Sequence, residues 1–158
     1  MANSEVRIVK LEPFRAASVH GFGETPEDEA WKKLEAWAKP KGLMDDLNEH
    51  PIFGFNNPSP SPGSPNYGYE FWIKVGPEVE PEGEVEIKDF PGGTYAILFC
   101  KVGGKPYETI PAAWKELALW IEESPYKTAS RQCLEQHLET EGLPEGEFDL
   151  DLFWPVSK

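Results

Sequence analysis

The sequence of 158 residues predicts one domain of the α+β class, built from a β-β-α-β-β unit that occurs twice. Three observations support this prediction: a duplicated pattern of apolar residues, two tryptophan-rich amphipathic segments, and alternating runs of aromatic and β-branched residues. The two copies span about residues 5–76 and 84–157. We expect a mostly antiparallel sheet with both helices on one face, related by a pseudo-twofold axis.

The duplication is visible in matched segments at a nearly constant separation. The stretch "EVRIVKLEPFRAASV" from Glu5 matches "EVEIKDFPGGTYAIL" from Glu84. The stretch "AWKKLEAWA" from Ala30 matches "AWKELALWI" from Ala113. The separation drifts by only a few residues, which short loop insertions explain. Two copies indicate duplication inside one domain and not a solenoid.

The first copy predicts two strands, "VRIVKL" and "RAASVH", on either side of a turn at Glu12 and Pro13. A helix follows, because Thr25 suits the N-cap position, Pro26 suits the first helical position, and acidic residues favour the first turn. An apolar stripe at helical spacing faces the core, and Pro40 and Gly42 end the helix. The segments "IFGFN" and "YGYEFWIKV" are predicted strands.

The second copy predicts strands in "VEIKDF" and "TYAILFCKV", around the turn "PGG". Its helix is predicted to start near Pro111 and to stop at Ser124 and Pro125. The last strands are "QCLEQHL" and "FDLDLFWPV". In the first copy, the proline-rich segment "NNPSPSPGSPNYG" from Asn56 predicts a surface connection, or alternatively a lid over one end of a pocket.

Side-chain alternation along a strand decides which way the polar residues point. In "YGYEFWIKV", one set of residues is the natural partner of the helices: Tyr69, Phe71, Ile73 and Val75. Glu70 and Trp72 therefore point to the opposite face, which is a ligand cleft, a solvated surface or a dimer surface. An exposed Trp72 would leave a large apolar surface in water, which favours the cleft.

The same rule brings other polar residues to this face. In "CLEQHLE", the two leucines belong to the core, so Glu135 and His137 point the same way as Glu70. Asp151, in the last strand, occupies the repeat position of Glu70, and Phe153 alternates onto the same side. Each has a plain alternative: Glu70 and Asp151 as solvated acids, and His137 as an ordinary strand residue.

A cleft lined by aromatic rings and carboxylates suits hydrophobic cations, since the rings supply cation–π attraction and the acids supply negative charge. A carboxylate removed from water is also expected to have a raised pKa, which suits a general base near neutral pH. Binding and catalysis therefore both stay open from the residues alone.

The formal net charge of −13 disfavours direct binding to nucleic acid or to an anionic membrane. No apolar run approaches the ~20 residues that span a bilayer, and the start of the chain lacks the apolar core of a secretory signal. Cys100 and Cys133 show no metal-binding spacing, and the three histidines lie at unrelated spacings. We expect a cytoplasmic protein with no metal and no cofactor.

The order of "IFGFNNP", "YGYEFWIKV", "FPGGTYAIL", "AWKELALW" and "DLFWPV" resembles the GyrI-like small-molecule-binding family over nearly the whole chain. This family is also described as the effector-binding domain of bacterial multidrug-responsive transcription activators. The resemblance implies a ligand cleft between two halves and a central glutamate that meets lipophilic cations, at Glu135 first and at Glu70 second. The candidate aromatic walls are Trp72, Tyr69, Tyr95 and Phe153.

The leading interpretation is a stand-alone binding protein for lipophilic cationic or aromatic compounds, because the domain begins too close to Met1 for a helix-turn-helix reader. One alternative is a hydrolase of cyclopropane-type reactive xenobiotics, which some members of the resembled family are, with Glu135 or Glu70 as general base. Another alternative is a gyrase-modulating interaction protein. The predicted partners are a small hydrophobic or cationic molecule and, for the open face, a protein partner or a homodimer.

Overall fold

The computed structural model describes residues 6–57, 61–138 and 149–158. The chain divides into two compact units, one formed by Pro13–Pro91 and the other by Met1–Glu12 together with Gly92–Lys158. We name them the first-repeat unit and the second-repeat unit, after the repeat that supplies most of each. In chain order, the elements of the described residues are β1 (Arg7–Leu11), β2 (Phe14–Gly23), α1 (Pro26–Ala38), a 3-10 helix (Lys39–Lys41), β3 (Ile52–Asn56), β4 (Tyr67–Val75), β5 (Glu86–Phe90), β6 (Gly93–Cys100), α2 (Pro106–Glu122), β7 (Lys127–Thr128), β8 (Leu134–Leu138) and β9 (Asp149–Ser157).

The first-repeat unit packs α1 on one face of an antiparallel sheet with the strand order β3-β4-β2-β5. As predicted, α1 has Pro26 at its first position and an acidic first turn. Gly42, at φ 74°, ends the 3-10 helix that continues from α1. The core between helix and sheet is formed by buried side chains, among them Ala17, Val19, Ala30, Leu34, Trp37, Phe71 and Ile73.

The second-repeat unit packs α2 on one face of an antiparallel sheet with the strand order β1-β6-β9-β8. The short strand β7 pairs with the end of β9. The core beneath α2 is formed by buried side chains from the helix, β6 and β9, among them Ala96, Leu98, Leu117, Ile121, Leu150, Leu152 and Val156.

The predicted start of the second helix near Pro111 is wrong, because α2 begins at Pro106 and Pro111 lies inside it. The first turn is fixed ahead of Pro111: the backbone N–H groups of Glu108 and Thr109 both donate to the Lys105 carbonyl, at 3.0 Å. Pro106 takes the first helical position, where the missing N–H of a proline has no helical partner to lose. Pro111 forgoes one hydrogen bond within the helix and does not end it.

The strands on either side of the turn at Glu12 and Pro13 belong to different units. β1 pairs with β6, where Ile8 lies opposite Ala96, whereas β2 pairs with β4 and β5. Each unit therefore takes one strand from the other repeat. The α+β class, the two helices and the antiparallel pairing are as predicted. Within the described ranges, neither helix has the length and apolar character required to cross a membrane.

Candidate functional site

Glu70 lies in the middle of β4, on the sheet face opposite α1, and its side chain is only 2% exposed. Its Oε2 accepts hydrogen bonds from Ser18 Oγ at 2.5 Å, Trp72 Nε1 at 2.7 Å and Lys88 Nζ at 2.8 Å. Its Oε1 accepts one from Asn57 Nδ2 at 3.0 Å. The structure thus brings Glu70 and Trp72 together on one face, as strand alternation predicts.

The donors around Glu70 decide its protonation. Burial alone would raise the pKa of this carboxyl group, but the hydrogen bonds from its four partners, led by the Lys88 ammonium, outweigh burial and hold the pKa of Glu70 below its ordinary value. The expectation of a raised pKa is therefore wrong for Glu70. Because a carboxylate with a lowered pKa is a weak base, this environment does not favour proton abstraction.

Aromatic rings lie beside Trp72 on the same face. The ring centroid of Phe55 is 5.0 Å from that of Trp72, and the ring centroid of Phe90 is 6.0 Å away. Phe14 stacks on Phe53 at 5.6 Å and approaches Phe90 at 4.8 Å. These four phenylalanines were not predicted as site residues. The alternation in "IFGFN" could have found Phe53 and Phe55, because Phe53 lies opposite Trp72 across β3 and β4.

Tyr69 lies on the α1 face of β4 and not beside Trp72. It is 4% exposed and packs edge-on against Phe71, with ring centroids 4.9 Å apart. Its ring covers Gly54 of β3, where a Cβ atom would come within 2.5 Å of the Tyr69 hydroxyl oxygen. This close approach requires glycine at position 54 and places Tyr69 in the core of the first-repeat unit.

Glu135 lies half-buried on β8, on the sheet face that α2 covers. Its Oε2 accepts a hydrogen bond from Trp114 Nε1 of α2 at 3.0 Å, and it lies opposite Leu152, a core residue beneath α2. The prediction that Glu135 points away from the helices is wrong. Leu134, which is fully buried, lies opposite Phe153, so the leucines of "CLEQHL" mark the other face of the sheet.

His137 follows Glu135 onto the α2 face, where it lies opposite Leu150, so its predicted orientation is also wrong. Burial lowers the pKa of His137 to about 4, and the ring is neutral at physiological pH. Burial, together with the negative charge of Glu135, raises the pKa of the Cys100 and Cys133 thiols to about 11. His137 and the thiols of Cys100 and Cys133 are therefore uncharged at physiological pH.

Asp151, Phe153 and Tyr95 lie on the sheet face opposite α2. Asp151 Oδ1 pairs with Arg7 Nη2 at 2.9 Å. Tyr95 meets Phe153 edge-on at 5.8 Å, and its hydroxyl donates to the Gln132 carbonyl at 3.3 Å. Burial raises the pKa of Tyr95. These three residues therefore lie on the other side of the sheet from Glu135.

Two tryptophans extend the surface beside Glu135. The ring centroids of Trp114 and Trp154 lie 6.1 Å apart, and Trp154 Nε1 donates to Thr128 Oγ1 at 2.9 Å. Trp154 also lines a groove of about 400 Å³. The groove is bounded by Ala118, Ile121, Glu122, Tyr126, Lys127, Thr128 and Trp154. The pairing of β8 with β9 places Glu135 opposite Leu152 and brings this acid to Trp114.

The proline-rich segment predicted as a connection or a lid lies partly outside the described residues, which omit positions 58–60. Its described ends are held to the first-repeat unit. The Asn57 N–H donates to the Gly68 carbonyl at 2.8 Å. The Tyr67 hydroxyl donates to the Glu27 carboxylate on α1 at 2.7 Å. Burial is the main cause, and this hydrogen bond the second, that raises the pKa of Tyr67 to about 12.

Residues 4–157 match the family model described as the GyrI-like small molecule binding domain. The chain belongs to the GyrI-like small-molecule-binding family. A protein of Erwinia billingiae named DNA gyrase inhibitor belongs among its relatives: it is 30% identical over 160 residues, which cover 97% of each chain.

Solved structures share the GyrI-like fold at low sequence identity. The EcmrR C-terminal domain matches with a TM-score of 0.71 at 16% identity, covering 99% of both chains. SAV2435 bound to tetraphenylphosphonium matches with a TM-score of 0.57 at 12% identity, covering 97% of this chain and 94% of that one. These matches show the fold.

Family membership confirms the resemblance predicted from the sequence, and with it a small-molecule-binding domain. The structure distributes the predicted site residues of this GyrI-like chain over distinct surfaces. Glu70 and Trp72 share one face of the first-repeat unit, while Tyr69 lies on the other. In the second-repeat unit, Glu135 and His137 share the α2 face, and the remaining three predicted residues lie opposite.

Proposed function

We propose that this GyrI-like chain binds a lipophilic cation, or an aromatic compound with a positively polarised group, on the α2 face of the second-repeat unit. Glu135 supplies the negative charge, and Trp114 and Trp154 supply the aromatic surface. The observation that carries the proposal is the 3.0 Å hydrogen bond from Trp114 Nε1 to the half-buried Glu135. An indole N–H is a neutral donor, so it orients the carboxylate without cancelling its charge.

The chemistry of this surface matches such a ligand. The π faces of the two tryptophan rings attract a cation, by about 0.5–2 kcal/mol for each well-placed ring. The half-burial of Glu135 reduces the screening of its charge by water and salt. His137, neutral and on the same face, adds an uncharged ring contact. A ligand with large apolar groups around a positive centre uses all of these features at once.

Two comparisons support the choice of ligand class. The family is one of small-molecule-binding domains, and its model covers nearly the whole chain. One solved structure with this fold, SAV2435, holds tetraphenylphosphonium, in which four phenyl rings surround a positive charge. We therefore choose tetraphenylphosphonium as the probe.

The test compares two ligands of the same shape and opposite charge. Tetraphenylphosphonium and tetraphenylborate are titrated into the protein by calorimetry in about 0.5 M NaCl, where the Debye length is only a few ångströms and the overall charge of −13 contributes little. We expect the cation to bind at least tenfold more tightly than the anion. Equal affinities, or no binding of the cation, would contradict the proposal.

A second candidate function is the modulation of DNA gyrase. One observation favours it: the relative named DNA gyrase inhibitor is 30% identical over 97% of this chain. The test adds the purified protein to a gyrase supercoiling reaction and follows plasmid topoisomers on a gel. Inhibition that increases with protein concentration supports this function, whereas unchanged supercoiling at a large molar excess rejects it.

A further inference from the structure

One of the four donors to Glu70 differs from the other three. Ser18, Asn57 and Trp72 are neutral, whereas Lys88 brings a positive charge from β5. The Lys88 side chain is 41% exposed, while that of Glu70 is 2% exposed. The Lys88 ammonium therefore reaches the buried carboxylate of Glu70 from the solvent-exposed side.

The strand register explains how Lys88 reaches Glu70. β5 pairs with β2 so that Lys88 lies opposite Ala16, and β2 separates β5 from β4, which carries Glu70. The stem of Lys88 must therefore cross β2, and the small, fully buried Ala16 leaves room for it. Phe90, two residues further along β5, comes within 6.0 Å of the Trp72 ring. The small apolar side chain of Ala16 thus lies between the backbone of Lys88 and the strand that carries Glu70.

We propose that Glu70 forms a recognition site for a primary alkylammonium group, and that Lys88 is the occupant supplied by the chain itself. A primary ammonium has three N–H donors, one of which reaches Glu70 Oε2 at 2.8 Å in the structure. A quaternary ammonium or a phosphonium ion has no N–H to donate. This site therefore takes a different chemical class from the Glu135 surface, and it does not rest on the function proposed above.

Three of the four donors to Glu70 do not belong to Lys88, so the carboxylate site can be kept while Lys88 is removed. When Lys88 is shortened to alanine, Ser18, Asn57 and Trp72 still hold the carboxylate in place. The negative charge then stays buried without its cation, which is strongly unfavourable. A free amine of the missing length, n-propylammonium, restores the pair. In the wild type, the tethered Lys88 competes with free amines at a high effective concentration, so they bind weakly.

The experiment measures thermal unfolding of the Lys88→Ala variant with n-propylammonium chloride, against tetramethylammonium chloride at the same ionic strength. We expect a lower unfolding midpoint for the variant, and a rise of about 3–6 °C when n-propylammonium is present at ten times its Kd. The wild type, Lys88→Met and the control Lys74→Ala should not respond. Lys74 is a matched control because it lies exposed on β4 and contacts the Phe14 ring.

The double variant Lys88→Ala/Glu70→Gln separates recognition by charge from filling of a cavity. It keeps the vacated space but lacks the carboxylate, and we expect n-propylammonium to leave its midpoint unchanged. An equal rise in the double variant, or no rise in Lys88→Ala, would overturn the proposal. If Lys88→Ala is unfolded alone, circular dichroism follows its folding on addition of n-propylammonium. A chain that stays unfolded in both salts also overturns it.

Discussion

Replacing Glu70 by glutamine tests whether the charge of this buried side chain stabilises the first-repeat unit. The change keeps the size and shape of the side chain and removes its negative charge. The glutamine oxygen can take the place of Oε2, and the Asn57 amide can turn to accept from the new NH₂ group. The other three donors, Ser18, Trp72 and Lys88, then keep their acceptor, and their hydrogen bonds lose the charge of the carboxylate.

The expected magnitude follows from those three bonds. A charge-assisted hydrogen bond is about twice as strong as a neutral one, a difference of about 1 kcal/mol for each bond. Lys88 is 41% exposed, so its share is reduced by solvent screening. We therefore expect Glu70→Gln to lower the free energy of unfolding by about 2–3 kcal/mol, measured by urea denaturation at pH 7. The control Glu86→Gln, at an exposed position on β5, should change it by less than about 0.5 kcal/mol.

The pH dependence gives the same prediction a second readout. Because the fold lowers the pKa of Glu70, its contribution is complete above the ordinary value of 4.5 and is lost as the pH falls through the lowered value. The difference in unfolding free energy between wild type and Glu70→Gln should therefore shrink below about pH 4.5. Equal stability of Glu70→Gln and Glu86→Gln at pH 7, or a difference that does not shrink in acid, would refute the reasoning.

Three further predictions concern other contacts. Gly54→Ala should lower the unfolding free energy by about 1–3 kcal/mol, because the new Cβ meets the Tyr69 hydroxyl, whereas Gly104→Ala, which meets nothing within 4 Å, should be tolerated; urea denaturation compares them. His137 should titrate near pH 4 by NMR, and its burial should make the fold lose stability as the pH falls from about 6.5 to 4; a titration near 6.5 would contradict its burial. Tyr67→Phe removes a hydroxyl that donates to an acid of α1 and should cost about 1–2 kcal/mol, with no loss expected if that contact is absent in solution.

Local sequence patterns predict the elements whose signals are local. β3 and β4 have the bounds that "IFGFN" and "YGYEFWIKV" suggest, because alternation and turn residues define them within a few positions. α1 begins at Pro26, where a proline followed by acidic residues is a local signal for a helix start. α2 shows the limit of such signals. Proline is favoured at the first helical position, so both Pro106 and Pro111 are candidates for the start of α2. The hydrogen bonds to the Lys105 carbonyl, which the sequence does not show, decide between them.

Pairing between distant strands is what the sequence does not reveal. Three of the four donors to Glu70 come from distant parts of the sequence: Ser18 on β2, Asn57 just after β3, and Lys88 on β5. The number of donors and the lowered pKa therefore do not follow from the residues next to Glu70. The side on which Glu135 lies depends on the buried residues of both sheet faces. Leu134 is buried against the face opposite α2, and an apolar residue therefore does not by itself mark the helix side.

The most direct test of the proposed binding surface is the affinity of tetraphenylphosphonium for Glu135→Gln, measured by calorimetry beside the wild type and Glu116→Gln. Glu116 is a matched control because it is an exposed glutamate on α2 and its change alters the net charge equally. We expect Glu135→Gln to weaken binding by about tenfold or more, which corresponds to about 1.4 kcal/mol, and Glu116→Gln to leave it within about twofold. The same small change in both variants would show that Glu135 is not the charge that the ligand meets.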